Sequence, residues 1–323
     1  MIDNEPDRIE YRAATTGAGI IDSSEKGRLH FCGSEHLEFL HRLSTNDTLH
    51  CAVGAGMRTV FCDPRGRIVE VLELCRINSD LTEGFTTVNG AAALIEWLGR
   101  YHFSEQIEWR DNSDDLEQCE IVGAQAVQMC ADVLAIDAAG VPRFSLLQHS
   151  SFGAMRIEAG RHPGIRLWGP DLTAPRKALV DAGAVAIRPV TQEQLRIHWG
   201  EPGTTELTLE HNPWEAGLGD AIHMAKGCYT GQEVIARLDA YQKVKQHLVG
   251  LRLAAPVPSG AVVSVAGTTV GTVTSIAIDP ELGTLALAYV RTAHCHEGTP
   301  VEIHSDMGAP VHAVVSNLPF VTP

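Results

Sequence analysis

The chain has 323 residues, 44% of them hydrophobic, and carries 25 Lys plus Arg against 40 Asp plus Glu, a formal charge of −15. That length supports one large core or two to three small ones. The negative field argues against direct nucleic-acid binding, and the lack of an eighteen-residue apolar run argues against a membrane-spanning helix.

The segment Met1-Ile2-Asp3-Asn4-Glu5 is acidic and polar, without the basic start or apolar centre of a secretory signal. A cytoplasmic location is the resulting expectation. Eight cysteines are scattered at Cys32, Cys51, Cys62, Cys75, Cys119, Cys130, Cys228 and Cys295, and none forms a Cys-x-x-Cys pair. Free thiols are expected rather than a disulfide framework or a zinc site.

The first third alternates between strand and helix patterns. Gly27–Cys32 alternates as a half-buried strand does. Ser34 is the expected cap of a helix presenting Leu37, Leu40 and Leu43 on one side. Thr59–Cys62 and Arg67–Leu74 read as a hairpin, with Asp63-Pro64-Arg65-Gly66 as its turn. Asn89 is the expected cap of a helix carrying Leu94, Ile95 and Leu98, and polar residues 111–115 mark a sub-domain transition. Thr191 and Gln194 form a capping-box pattern that starts a helix through Leu195 and Ile197. Residues 200–225 read as a long ordered loop, usually a functional feature in a compact domain.

Beyond residue 246 short strands come quickly, over 248–253, 261–265, 270–276, 285–290, 300–303 and 311–315, punctuated by glycines. That spacing predicts a small barrel or sandwich over 246–323, following an α/β region over 1–245. His294-Cys295-His296 is the only tight histidine cluster, and no dedicated metal site is expected from it.

The most informative stretch is Lys226-Gly227-Cys228-Tyr229-Thr230-Gly231-Gln232-Glu233. Thr230 and Glu233 form a capping-box pattern, which places a helix start at Gly231. Cys228 then lies just ahead of a helix N-terminus, with Lys226 two residues away. Unsatisfied N–H groups and positive charge there favour a thiolate, the nucleophilic and soft-metal-binding form. Each residue also has a plain structural use: caps for Thr230 and Glu233, backbone freedom for Gly227 and Gly231, packing for Cys228.

This octapeptide resembles the signature of the YgfZ family, a branch of the glycine-cleavage T-protein superfamily. Leu43-Ser44-Thr45-Asn46-Asp47, the hairpin turn, Leu195-Arg196-Ile197, Asn212-Pro213-Trp214-Glu215-Ala216-Gly217-Leu218 and Leu318-Pro319-Phe320 resemble further superfamily segments. The likeness therefore spans nearly the whole chain. It implies an α+β fold, with two mixed α/β domains and a C-terminal small β-barrel arranged as a three-domain ring around a central hole. It further implies a bound tetrahydrofolate-type pterin, and a role with iron–sulfur proteins or their assembly factors, including an enzyme that modifies tRNA. Folate contacts are implied for Asn46, Asp47, Arg196, His198, Trp199 and Glu215.

Two departures stand out. Where the T-protein carries an Asp-Asp pair on the strand leaving the hairpin, this chain has Glu70 and Val71. Glu70 is the surviving carboxylate and, with Cys228, a candidate catalytic residue. Where the superfamily has Arg-x-Glu-x-Gly, with a glutamate that pairs with the pterin edge, this chain has Arg196-Ile197-His198-Trp199-Gly200. Histidine cannot reproduce the bidentate carboxylate pattern. A folate-binding accessory role is therefore expected ahead of a folate-dependent one-carbon transferase.

Overall fold

The structure, a computed structural model, describes residues 5–305 and 308–320. In chain order the body comprises α1 (Glu5–Thr15), β1 (Gly19–Asp22), β2 (Lys26–Cys32), α2 (His36–Leu43), β3 (Gly56–Cys62), β4 (Ile68–Arg76), β5 (Leu81–Val88), α3 (Ala91–Gly99) and β6 (Glu108–Asp111). It continues with β7 (Glu117–Val122), α4 (Ala126–Leu134), β8 (Leu146–Leu147), β9 (Gly153–Ala159), β10 (His162–Gly169), α5 (Thr173–Asp181), β11 (Val185–Ile187), α6 (Pro189–His198) and α7 (Gln232–Ala240). Six strands close the chain: β12 (Gln246–Leu253), β13 (Val262–Val265), β14 (Thr268–Asp279), β15 (Gly283–Arg291), β16 (Pro300–His304) and β17 (Val311–Ser316).

These strands form two open sheets and one barrel. One sheet has the order β3-β4-β5-β2-β6, the other β11-β1-β7-β10-β9-β8, and β12-β15-β14-β13-β16-β17 close on themselves. The expected α+β class with a C-terminal barrel is what the chain adopts. The two sheets interleave in sequence, because β1 joins the six-stranded sheet before β2 to β6 build the other. The chain passes from one sheet to the other between β6 and β7.

Each sheet buries one face under helices. Leu29, Phe31, Phe61, Leu72 and Leu74 pack with Phe39, Leu40, Leu94 and Leu98 from α2 and α3. Ile121, Ala154, Ile165 and Leu167 pack with Ala126, Cys130 and Leu179 from α4 and α5. The opposite faces meet through Cys75, Phe85, Met155, Ile157 and Trp168. Phe85 and Trp168 pack edge to face with centroids 5.1 Å apart, and each such buried side chain contributes about 1.5–3 kcal/mol. The barrel docks on α6, where Ile197 packs with Ala277, Leu285, Leu287 and Phe320.

Four expected helix caps are replaced by other groups. Helix α2 starts after Glu35 rather than Ser34, and α3 after Gly90, with Asn89 in the left-handed region at φ 58°. Helix α6 starts at Pro189, whose fixed φ suits a first turn. The Thr191 hydroxyl instead donates to Glu10 Oε2 at 2.6 Å. Helix α7 starts after Gly231, not Thr230, and no side chain caps it. His294 ends a short 3-10 turn, so the alternating strand face that would pair it with His296 does not form. Among the described residues no group of three or more His, Cys, Asp or Glu is placed to hold a metal. No described helix is long and apolar enough to cross a membrane.

Candidate functional site

The segment after α2 runs beside β3. Thr45 N–H donates to the Val60 carbonyl at 3.0 Å, and Val60 N–H returns a bond to Thr45 Oγ1 at 2.9 Å. The Asn46 amide donates to the Arg58 carbonyl at 2.7 Å, and its oxygen accepts Asp47 N–H at 2.9 Å. On the other side lies the end of the 200–225 loop, leading into the signature: Thr45 Oγ1 donates to the Ala221 carbonyl at 2.6 Å and His223 N–H to the Thr45 carbonyl at 3.0 Å.

Lys226 locks this sandwich. Its Nζ donates to the carbonyls of His41, Ser44 and Asn46 at 2.5, 2.6 and 2.9 Å. Three donors meet three acceptors, the full capacity of an ammonium. Burial pushes the Lys226 amine down to about 7, against the opposing pull of Asp47. Lys226 is thus committed to the backbone of another segment and is not a charge partner for Cys228.

Cys228 itself is exposed. Behind it Tyr229 is buried, its ring 5.0 Å from Lys226 Nζ. Gly231 then turns at φ 84° against the hairpin, where a Cβ would lie 2.6 Å from the Asp63 carbonyl oxygen. Only glycine combines that φ with that approach, so α7 is seated on the β3–β4 turn. His41, beside the loop, lies 3.2 Å from Asp47, which also pairs with His50 at 2.8 Å. Burial first, then Lys226, pushes the His41 imidazole down.

The two positions of the T-protein acidic pair point to opposite faces of β4, as successive strand residues do. Glu70 turns toward α3 and is 5% exposed. Its oxygens accept Val71 N–H at 2.9 Å, Thr87 N–H at 3.0 Å and the Thr87 hydroxyl at 3.1 Å. Burial pushes its carboxyl up despite these donors. Val71 faces the other way and packs with Ala216, Leu218 and Ala221.

Most of the residues singled out for folate already carry partners within the protein. His198 Nδ1 lies 2.9 Å from Asp279 Oδ2 and 3.1 Å from the Tyr11 hydroxyl, sealed between α1, α6 and the barrel. Arg196 is held by Glu193, the Glu201 carbonyl, Glu206 and Ser275. Trp199 lies against Gly160. Glu215 accepts from Asn212 N–H at 3.1 Å and pairs with Arg67 at 3.3 Å. Asn46 and Asp47 belong to the Lys226 sandwich.

What does converge, on the facing sides of the two sheets, escaped the sequence reading. Arg166 Nη2 lies 2.7 Å from both Glu73 and Glu120, Arg58 pairs with Glu73 at 2.7 Å, and Lys26 with Glu120 at 2.8 Å. Burial would raise the Glu73 carboxyl, but Arg166, Arg58 and Lys26 overcome it and hold it well below the usual carboxylate range. Beside them Glu201, half-buried, makes no hydrogen bond or close ion pair through its carboxyl among the described residues. Burial pushes that carboxyl up; Arg58 and Lys26 oppose the rise, while Glu120 and Glu73 add to it. The legible signal was single charges inside apolar strands, as in Val71-Leu72-Glu73-Leu74 and Ile165-Arg166-Leu167-Trp168.

Two interleaved sheets, one antiparallel and one with a single parallel pair, a six-stranded barrel and these motifs define a protein of the glycine-cleavage T-protein class. The chain belongs to that family: residues 4–162 match its GCVT N-terminal domain and residues 246–322 the glycine cleavage T-protein C-terminal barrel domain. It is 30% identical, over 99% of its length and 74% of the relative's, to a chloroplastic Arabidopsis thaliana protein named provisionally as a transferase. It is 30% identical to an aminomethyltransferase of Synechococcus elongatus (96% of this chain, 87% of the relative) and 29% to that of Saccharopolyspora erythraea (97% and 89%). The solved aminomethyltransferase of the Bartonella henselae glycine cleavage system shares the fold, with TM-score 0.87 at 22% identity over 98% of this chain and 89% of that one.

Proposed function

We propose that this chain is a reduced-folate-binding accessory protein for iron–sulfur enzymes, of the YgfZ type. The observation that carries the reading is the signature loop: Lys226 is caged by three carbonyls while Cys228, two residues on, is left exposed. A loop so firmly tied presents one thiol to a partner at a fixed place. Clients are iron–sulfur proteins or their assembly factors, and an effect on tRNA modification follows indirectly through such an enzyme.

Of the six residues first expected to bind folate, Asn46, Asp47, Arg196, His198 and Glu215 already bond or pair within the protein. Glu201 fits better. It lies three residues beyond His198, past the end of α6, faces Arg58, and has an uncommitted carboxyl able to take an amine-bearing ring edge. A reduced folate carries one-carbon units; the chain's part is to bind and orient it. Titration with tetrahydrofolate should give saturable binding that Glu201→Gln weakens at least tenfold. Cys228→Ser should retain folate binding and lose support of client enzyme activity in cells. Unchanged folate affinity in the first variant, or full client activity in the second, would overturn the corresponding half of the reading.

The second reading is a folate-dependent one-carbon transferase, favoured by the names of the relatives. Against it, Val71 supplies no carboxylate on the inner face and Glu70 is tied down on the other. Methylene transfer from amine donors to tetrahydrofolate, lost in Glu70→Gln, would establish it.

A further inference from the structure

At the far end of the facing sheets lies a cleft of about 740 Å³, walled by Ile77, Leu146, His149, Phe152, Trp168 and Glu83. That volume suits a small-molecule ligand. It shares Trp168 with the inter-sheet core but none of the residues of the signature loop or of the folate reading. Glu83 and Thr87, the Glu70 partner, are four residues apart on β5, roughly 13 Å along a strand.

The walls are aromatic. His149 and Phe152 stack with centroids 3.7 Å apart. Trp168 passes so close to Gly153 that a Cβ there would lie 2.1 Å from the indole. The missing side chain lets the indole lie along β9.

Glu83 is the carboxylate of this wall, which also carries Gln148, His149 and Ser150, and is 5% exposed. It sits between His30 and Cys75 in the strand register. Its Oε1 lies 2.7 Å from His30 Nε2, while its Oε2 is buried without a partner. A buried carboxylate oxygen lacking a donor is costly and rare in a finished structure. One carboxylate and one imidazole make too small a ligand set for a metal. A slot flanked by aromatic rings with the Glu83 carboxylate in its wall suits a flat body with an N–H edge.

We propose that this cleft is a second ligand site, taking a planar, amine-bearing heterocycle whose N–H edge pairs with Glu83. The pairing is a charge-assisted hydrogen bond, with the ring held between Trp168 and the His149–Phe152 stack.

The test is calorimetric titration of the full chain with 2-aminobenzimidazole, a flat ring bearing an amidine-like edge. The comparison probe is 2-methylbenzimidazole, of the same shape without the amine. The wild type should bind the amino compound saturably, with Kd below about 1 mM at the Glu83 site, a level reachable by a ligand of this size. The methyl compound and Glu83→Gln should each weaken binding at least tenfold. Ser150→Trp, at an exposed position on the cleft wall, should block binding while leaving Glu83 intact; it carries the test if the buried substitution unfolds the chain. Glu201→Gln should leave probe affinity unchanged, which separates this site from the folate site. Absence of saturable binding, or equal affinity for both probes and all variants, overturns the proposal and leaves a trapped water as the partner of Oε2.

Discussion

Lys226 Nζ donates to the Ser44 carbonyl at 2.6 Å, joining segments 182 residues apart. The bond welds the octapeptide loop to the Ser44-Thr45-Asn46 segment, so the two motifs are one structural unit. Replacing Lys226 by Met keeps the length of the side chain and removes every donor. The Ser44 residue is fully buried, so its carbonyl would be stranded. We expect a stability loss of about 3 kcal/mol in urea denaturation. A loss under about 1 kcal/mol would show that solvent replaces the ammonium.

Thiol reactivity should be ordered by burial. Cys51, Cys62, Cys75, Cys119 and Cys130 are buried, and burial pushes the last two up to about 12. Cys228 is exposed. Brief iodoacetamide treatment followed by peptide mass mapping should label Cys228 ahead of the other seven. Cys228→Ser should change stability by no more than about 0.5 kcal/mol, as at other surface positions. A larger loss would mean the sulfur has a packing role.

Glu73 links acid stability to the inter-sheet cluster. Its folded pKa lies below the ordinary value of 4.5, so the folded state resists protonation more than the unfolded chain. Its contribution is fully present above about pH 4.5 and is lost as pH falls through the folded value. Glu73→Gln leaves Arg166 and Arg58 short of a carboxylate and should cost about 3–5 kcal/mol at pH 7. The deficit should shrink below pH 4.5. A deficit constant from pH 7 to pH 3 would contradict the linkage.

Restoring glutamate at position 198 should not restore the superfamily's pterin site. Asp279, fully buried, already occupies the partner side of His198 and takes Glu281 and Leu282 N–H groups at 2.9 and 2.8 Å. Burial alone would raise the Asp279 carboxyl, but His198 and these amides hold it below its ordinary value. His198→Glu would set two carboxylates together without water, costing about 3 kcal/mol or more at pH 7. A stable His198→Glu protein with improved tetrahydrofolate affinity would reverse the assignment of position 198 to domain docking.

Residue order alone carried the architecture. The Asp63–Gly66 turn signal marked the hairpin, period-two alternation marked Gly27–Cys32, and short strands at near-even spacing punctuated by glycines marked the barrel. The motif Lys226–Glu233 marked the one loop that ties α7, the hairpin turn and the α2 exit together. What the order of residues determined, then, was which segments are strands, where the barrel begins, and that residues 226–233 are special. Only the tertiary structure decided what the polar side chains do. Thr191 chose Glu10 over a helix cap, Lys226 chose three carbonyls over a nearby thiol, and His198 chose Asp279 over an open space. Glu201 and the Glu73–Arg166 pair emerged only when the two sheets faced each other. Apolar periodicity is local and repeats, so it can be read along the chain. A buried polar group must find its partner in space, and that partner is fixed by packing rather than by its neighbours in sequence.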